Sequence, residues 1–162
     1  LTINGFPFSF DISNIVFLRS FTDYMERTLV LLKPDTVRRK LAGELIQRFE
    51  RRNFRLVGMK LTHWDLPTAE NFYSIHKGKP FYEELIQFMT SGPIVALCLE
   101  GDNAIAQVRK MMGTTNTLEA LPGTIRGDYT LSTQQNMVHG SDSQESFDRE
   151  CPIVFRPEEL LS

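Results

Sequence analysis

The segment Asn136-Met137-Val138-His139-Gly140-Ser141-Asp142-Ser143 concentrates more reactive chemistry than any other stretch of the chain. It sets one of three histidines directly before a glycine and a run of helix-capping side chains. A neutral imidazole is a capable nucleophile near neutral pH. A helix opened by Ser141 to Ser143 would offer its N-terminal end to an anion. Gly140 would let the backbone come close to that anion. Together these properties point to a histidine that attacks a phosphate. Taken by itself, the string also fits a capped helix start that happens to hold a histidine.

Cationic side chains elsewhere supply what such a reaction needs. Arg109, Thr115 and Arg126 are candidates for a phosphate clamp, because guanidinium groups grip phosphate oxygens bidentately and keep their charge. A single arginine on a helix is ordinarily a solvated surface residue. Arg126 is less ordinary: it lies in Pro122-Gly123-Thr124-Ile125-Arg126-Gly127-Asp128, where glycines on both sides suggest a shaped loop rather than a helix. Its Arg-Gly-Asp tripeptide is not read as an adhesion motif. Lys33 follows an apolar run and precedes a proline, which places its ammonium at the C-terminal edge of a strand. Tyr73 and Phe81 flank Lys77-Gly78-Lys79-Pro80 and can form the mouth of an aromatic slot, although aromatics at such spacing are more often core. His63 at a strand end and His76 at a helix end are read as incidental. No G-x-x-x-x-G-K-[ST] or G-x-G-x-x-G loop is present, so phosphate must be handled by side chains and a helix end.

The elements that must position these groups follow from the spacing of apolar residues. Residues 28–32 have the length and composition of a buried strand that stops at a Lys33-Pro34-Asp35 turn. Residues 42–52 place Ala42, Leu45, Ile46 and Phe49 at helical spacing. Residues 54–64 read as a long strand, and Pro67 then starts a helix. A helix after Pro80 is expected to bury Phe81, Leu85, Phe88 and Met89. Residues 94–99 form the clearest central strand, which makes Cys98 a buried thiol. Gly101-Asp102-Asn103 is expected to cap a helix carrying the stripe Ile105, Val108 and Met112. Residues 113–135 read as a long irregular loop, a kind that is usually functional or disordered. A short strand at 136–139 and a helix at 143–151 complete a β-α-β-α-β-α-β order. That order predicts an α+β fold: a ferredoxin-like plait, with a four-stranded antiparallel sheet and helices packed on it.

Bulk properties narrow the class. A chain of 162 residues fits one domain, and 41% apolar with 23% charged residues is ordinary for a soluble protein. A net charge of −2 argues against a general nucleic-acid binder. Cys98 and Cys151 lack metal-site spacing, and the chain reads as cytoplasmic, without a membrane span. Residues 1–24 differ from the rest: they hold Phe6, Phe8, Phe10, Phe17 and Phe21 and fit neither a signal peptide nor a presequence. They are taken as a non-catalytic extension, or an artefact of gene calling, before a domain at 25–162.

From Glu26 onward the chain closely resembles a nucleoside diphosphate kinase. The resemblance runs through Glu26-Arg27-Thr28, Lys33-Pro34-Asp35, Gly43-Glu44, Phe54-Arg55-Leu56-Val57 and Lys79-Pro80-Phe81. It continues through Met89-Thr90-Ser91-Gly92-Pro93, Gly113-Thr114-Thr115-Asn116, the Pro122 to Asp128 string and His139-Gly140-Ser141-Asp142-Ser143. It implies transfer of the γ-phosphate of a nucleoside triphosphate, typically ATP, to a nucleoside diphosphate through a phosphohistidine, in two half-reactions at one site. By match of position, His139 would be phosphorylated, Glu150 would orient its ring and Ser141 would steady Glu150. Lys33 would reach the ribose 3′-hydroxyl and terminal phosphate, Asn136 the sugar, and Tyr73 would support the site. Arg109, Thr115 and Arg126 would bind phosphates with a Mg²⁺ carried in by the nucleotide and no protein ligand to the metal. Phe81 would stack on the base, with Leu85 beside it and Thr133 opposite, where many members have valine. Thr117 stands where most members have proline, and a homo-oligomer, hexamer or tetramer, is expected. A non-catalytic relative would have lost His139, Lys33 or an arginine, and none is lost. An RNA-binding plait would need aromatics in a K/R-G-F/Y pattern and a basic surface, and neither is present.

Overall fold

The computed structural model describes residues 25–130 and 132–162. The features expected of residues 1–24 lie outside the described part. Four strands, β1 (Glu26–Leu32), β2 (Arg55–Thr62), β3 (Ile94–Gly101) and β4 (Val138–Gly140), form one sheet in the order β2-β3-β1-β4, every pair antiparallel. The helices among the described residues are α1 (Pro34–Arg38), α2 (Ala42–Arg51), α3 (Leu66–Phe72), α4 (Tyr82–Met89), α5 (Ala104–Met112), α6 (Ile125–Tyr129) and α7 (Gln144–Val154). Single 3-10 turns occupy Ser74–His76 and Pro157–Glu159.

Alternation within the two inner strands builds two cores. On β1, Leu29 and Leu31 face one side while Val30 and Leu32 face the other. On β3, Ile94, Ala96 and Cys98 join the first set and Val95, Leu97 and Leu99 the second. Side chains of α3, α4 and α7 complete the first core, and those of α2, α5 and α6 the second. Both faces are covered, which is why residues 29–32 of β1 and 94–99 of β3 are continuous apolar runs rather than alternating polar and apolar. The plait expected from the element order is present, and Cys98 is a buried free thiol in the same core as Cys151.

Several local expectations need correction. The turn at Lys33-Pro34-Asp35 opens a short helix, α1, because proline's fixed φ suits a first helical position. Phe81 is not on the buried face of α4; that face is Tyr82, Ile86 and Met89, whereas Phe81 precedes the helix and is 46% exposed. Asn103 does not cap α5 with its side chain: it sits in the left-handed region, and the Glu26 carboxylate accepts the Ile105 N–H instead. The stretch 113–135 contains α6, capped by the Thr124 hydroxyl. Gly127 lies within that helix, where any Cβ would collide with the Leu121 carbonyl oxygen. Gly140 also serves packing, because a Cβ there would fall 2.7 Å from Met112 Sδ.

Candidate active site

β4 brings His139 to the sheet edge opposite Leu31 of β1. One helix later, α7 returns Glu150 to it: Nε2 of the imidazole lies 3.0 Å from Glu150 Oε2. An ionised carboxylate only accepts, so Nε2 carries the proton and Nδ1 keeps its lone pair. The Ser141 hydroxyl donates to the same Oε2 at 2.8 Å, and Arg149 Nη2 donates to Oε1 at 3.0 Å. Burial alone would raise the Glu150 carboxyl. The hydrogen bond and charge of His139, the Ser141 hydroxyl and the Arg149 guanidinium outweigh it and hold the group below its ordinary range. Phe72 and Tyr73 meet the imidazole edge-on, with centroids 5.2 and 6.1 Å away, and limit its rotation.

His139 opens onto a cavity of about 450 Å³, a size suited to a small-molecule ligand. Lys33, at the end of β1, donates to Asn136 Oδ1 at 2.8 Å and is almost fully buried. Burial, reinforced by the Arg126 charge and opposed by Asp35, lowers its ammonium to about 8. Arg126 is more tightly held than a free clamp would be. It donates to the carbonyls of Gly113 (2.7 Å), Val138 (2.8 Å) and Asn136 (3.4 Å). One hydrogen on each terminal nitrogen remains for a ligand. Burial, and after it the Arg109 charge, lower Arg126 to about 10, so it stays cationic at neutral pH. Arg109 is exposed and makes one long hydrogen bond, 3.4 Å, to the Gly140 carbonyl.

The cavity's outer wall is different. Phe81, Leu85 and Thr133 line it together with Thr115, and the Thr133 carbonyl accepts from Asn136 Nδ2 at 2.7 Å. Of the candidate residues, only Ser141 is not on the wall; it lies fully buried behind Glu150. The Tyr73 hydroxyl is buried without a hydrogen-bond partner among the described residues. Burial and the Glu150 charge push this phenol upward, so it remains a donor awaiting an acceptor.

The sequence reading passed over some residues. His76 lines the cavity, stacks on Tyr73 at 6.1 Å and meets Phe81 edge-on at 5.6 Å. Its three-residue spacing from Tyr73 was the available signal. His63 bonds the Thr90 carbonyl and is not on the cavity wall. The N-terminus of α7 is not an open anion site: Ser143 accepts the Ser146 N–H, and the Asp142 carboxylate takes the Ser146 hydroxyl. Arg149, which braces Glu150, has no periodicity or motif that marks it, and Asp142 lies within the histidine string but is given no role there.

A sequence profile of the family described as nucleoside diphosphate kinase matches residues 26–160. A nucleoside diphosphate kinase of Staphylothermus marinus is 57% identical over 136 residues, covering 84% of this chain and 96% of that protein. One from Sulfurisphaera tokodaii is 54% identical, covering 85% and 94%. Among solved structures, a halophilic nucleoside diphosphate kinase from Halobacterium salinarum in complex with CDP superposes with a TM-score of 0.83 at 41% identity, covering 86% of this chain and 93% of that one. The Aquifex aeolicus nucleoside diphosphate kinase gives a TM-score of 0.83 at 36% identity, covering 85% and 100%.

Proposed function

This chain belongs to the nucleoside diphosphate kinase family and transfers the γ-phosphate of a nucleoside triphosphate to a nucleoside diphosphate, and we propose that His139 carries the phosphate between the two. The observation that carries this reading is the bond from Nε2 to Glu150, which leaves Nδ1 as the unprotonated nitrogen of a ring that lines a cavity with Lys33, Arg109 and Arg126. The Nδ1 lone pair attacks the γ-phosphorus, the bond to the β,γ-bridging oxygen breaks, and the diphosphate leaves with that electron pair. Nε2 keeps its proton throughout, and the Glu150 carboxylate balances the positive charge on the phosphorylated ring. A β-phosphate oxygen of the second diphosphate then attacks, and the P–N electron pair returns to Nδ1.

The remaining roles follow the same logic. Arg126, Arg109 and the Thr115 hydroxyl hold the phosphates, and the Tyr73 phenol supplies the donor its burial leaves unpartnered. Lys33 meets the 3′-hydroxyl and the terminal phosphate, with Asn136 beside it on the sugar. Phe81 stacks on the base against Leu85 and Thr133, which accounts for acceptance of purines and pyrimidines alike. The cationic wall fits the nucleotide's phosphates, and a Mg²⁺ would enter on them, with no side-chain ligand proposed. When bound, that ion would offset phosphate charge in the transition state. Among the described residues no cluster of three His, Cys, Asp or Glu side chains is placed to hold a metal.

The catalytic domain is proposed to be residues 25–162, with 1–24 as a non-catalytic extension. No helix among the described residues is long and apolar enough to cross a membrane, and a cytoplasmic location is proposed. A homo-oligomer is proposed, a hexamer in preference to a tetramer; the exposed Met59 and Leu61 on β2 and Leu118 and Leu121 in the long loop support association, without fixing the subunit number. Native mass measurement reads the subunit number. For the reaction itself, γ-labelled ATP should leave acid-labile, alkali-stable label on the protein. Absence of label, or label that survives His139→Ala, overturns the assignment.

A further inference from the structure

Between Asn136 and the reactive histidine sits Met137, fully buried and in the left-handed region with φ of 71°. The Val138 N–H bonds the Asn136 carbonyl at 2.8 Å and closes a three-residue turn around it. Turns of this hand are rare, and a residue with a Cβ does not hold one unaided. Both backbone polar atoms of Met137 are gripped by one segment distant in sequence. Its N–H donates to Asp35 Oδ2 at 3.0 Å. Its carbonyl accepts from the Lys33 N–H at 2.9 Å and from the Thr36 hydroxyl. Asp35 is 1% exposed, and its other oxygen has no partner among the described residues. A buried, half-partnered carboxylate costs stability, so folding alone does not account for its place here.

We propose that Asp35 and Thr36 are positioning residues: they clamp Met137 in its left-handed conformation so that Asn136 and His139 face one cavity. The inference rests on His139 being the phosphate carrier. Its structural logic is local. The segment that supplies Lys33 also supplies the clamp, so the cation, its partner Asn136 and the nucleophile two residues beyond Met137 are fixed in one frame. Released from the clamp, Met137 returns to negative φ, and the chain on its two sides rotates apart.

The test is a pair of substitutions at 137 read in two backgrounds. Met137→Gly and Met137→Ala remove nearly the same volume, but only glycine adopts this φ without steric cost. With Asp35 in place, the two variants are phosphorylated by γ-labelled ATP at single-turnover rates within about threefold of each other. With Asp35→Ala, the glycine variant exceeds the alanine variant by roughly fivefold to thirtyfold, which is the preference of the left-handed region for a residue without Cβ. Rates are expressed per folded protein. A glycine-to-alanine ratio that is the same in both backgrounds overturns the proposal, because a residue that only stabilises the fold lowers both variants alike. If Asp35→Ala does not fold, Thr36→Val replaces it as the weakened background, and an unchanged ratio there overturns the proposal equally. Failure of the unsubstituted enzyme to take label at all would instead overturn the role of His139, so the two failures are distinct.

Discussion

The two ends of the cavity are built on opposite plans. At the end proposed to hold the phosphates, Lys33, Arg126, Asn136 and Glu150 are all buried, and each is hydrogen-bonded to another part of the site. At the end proposed for the base, Phe81 is half exposed, with the His76 ring at 5.6 Å and the Lys79 ammonium 5.8 Å from its centroid, and Thr133 is exposed. The first end fixes atoms that must lie in line during transfer, where small displacements are costly in rate. The second offers a flat aromatic face, which every nucleobase can stack on and none is selected by. On the proposed placement of the nucleotide, rigidity falls where the chemistry would be shared by all substrates, and looseness where the substrates would differ.

The largest effect that would break this comparison is sought at Arg126. Arg126→Lys leaves one ammonium to satisfy the carbonyls of Gly113, Asn136 and Val138 and removes the planar fork. We expect kcat to fall roughly 10³-fold in a triphosphate–diphosphate exchange assay. Arg109→Lys, on an exposed side chain with one long hydrogen bond, should cost less than about tenfold. Equal losses would mean that burial and backbone ties do not mark the arginine that matters.

Glu150→Gln comes next. The amide retains shape but weakens the hold on the Nε2 proton, so Nδ1 is presented less often as the lone-pair nitrogen. A loss on the order of 10- to 100-fold in kcat is expected, far smaller than that of His139→Ala, which removes the proposed nucleophile. Losses of equal size would show that the carboxylate itself takes part in the covalent step.

Much of this site was legible in the chain because short strings carry it. The histidine, the Lys33 strand end and the loop arginine each sit in motifs whose order resembles one family. The fold was legible because β1 and β3 are unbroken apolar runs flanked by helical periodicity. What escaped has a common cause. α6 spans five residues with a glycine inside, too short for periodicity to show. Phe81 belongs by spacing to the apolar set of α4, and only the phase of the actual helix turns it outward. The anchoring of Arg126 depends on carbonyls from three separate residues, and carbonyl positions leave no trace in side-chain identity. The strain at Met137 is invisible for the same reason: methionine gives no hint of positive φ.

A smaller effect separates Lys33 from the arginines by pH. Its ammonium, lowered to about 8 by burial and the Arg126 charge, is cationic below that value and neutral above it. kcat/KM should therefore hold through neutral pH and fall as pH rises through about 8, by roughly tenfold per further unit if the charge is required. Lys33→Arg keeps a charge at every accessible pH and should lack this alkaline limb, whatever its absolute rate. A limb unchanged in Lys33→Arg would assign the titration to another group.

The smallest change is expected at Phe81, and its pattern matters more than its size. Phe81→Leu removes the aromatic face while keeping an apolar surface at the cavity mouth. Base stacking on a half-exposed ring is worth about 1 kcal/mol, so KM should rise by about fivefold, with kcat nearly unchanged because no reacting atom moves. The rise should be similar for adenine, guanine and pyrimidine diphosphates, since each loses the same kind of contact. A fall in kcat instead would mean that base stacking is transmitted to the phosphate end, and the two ends would then be one device rather than two. A rise confined to purines would mean that the wall formed by Phe81, Leu85 and Thr133 selects among bases after all.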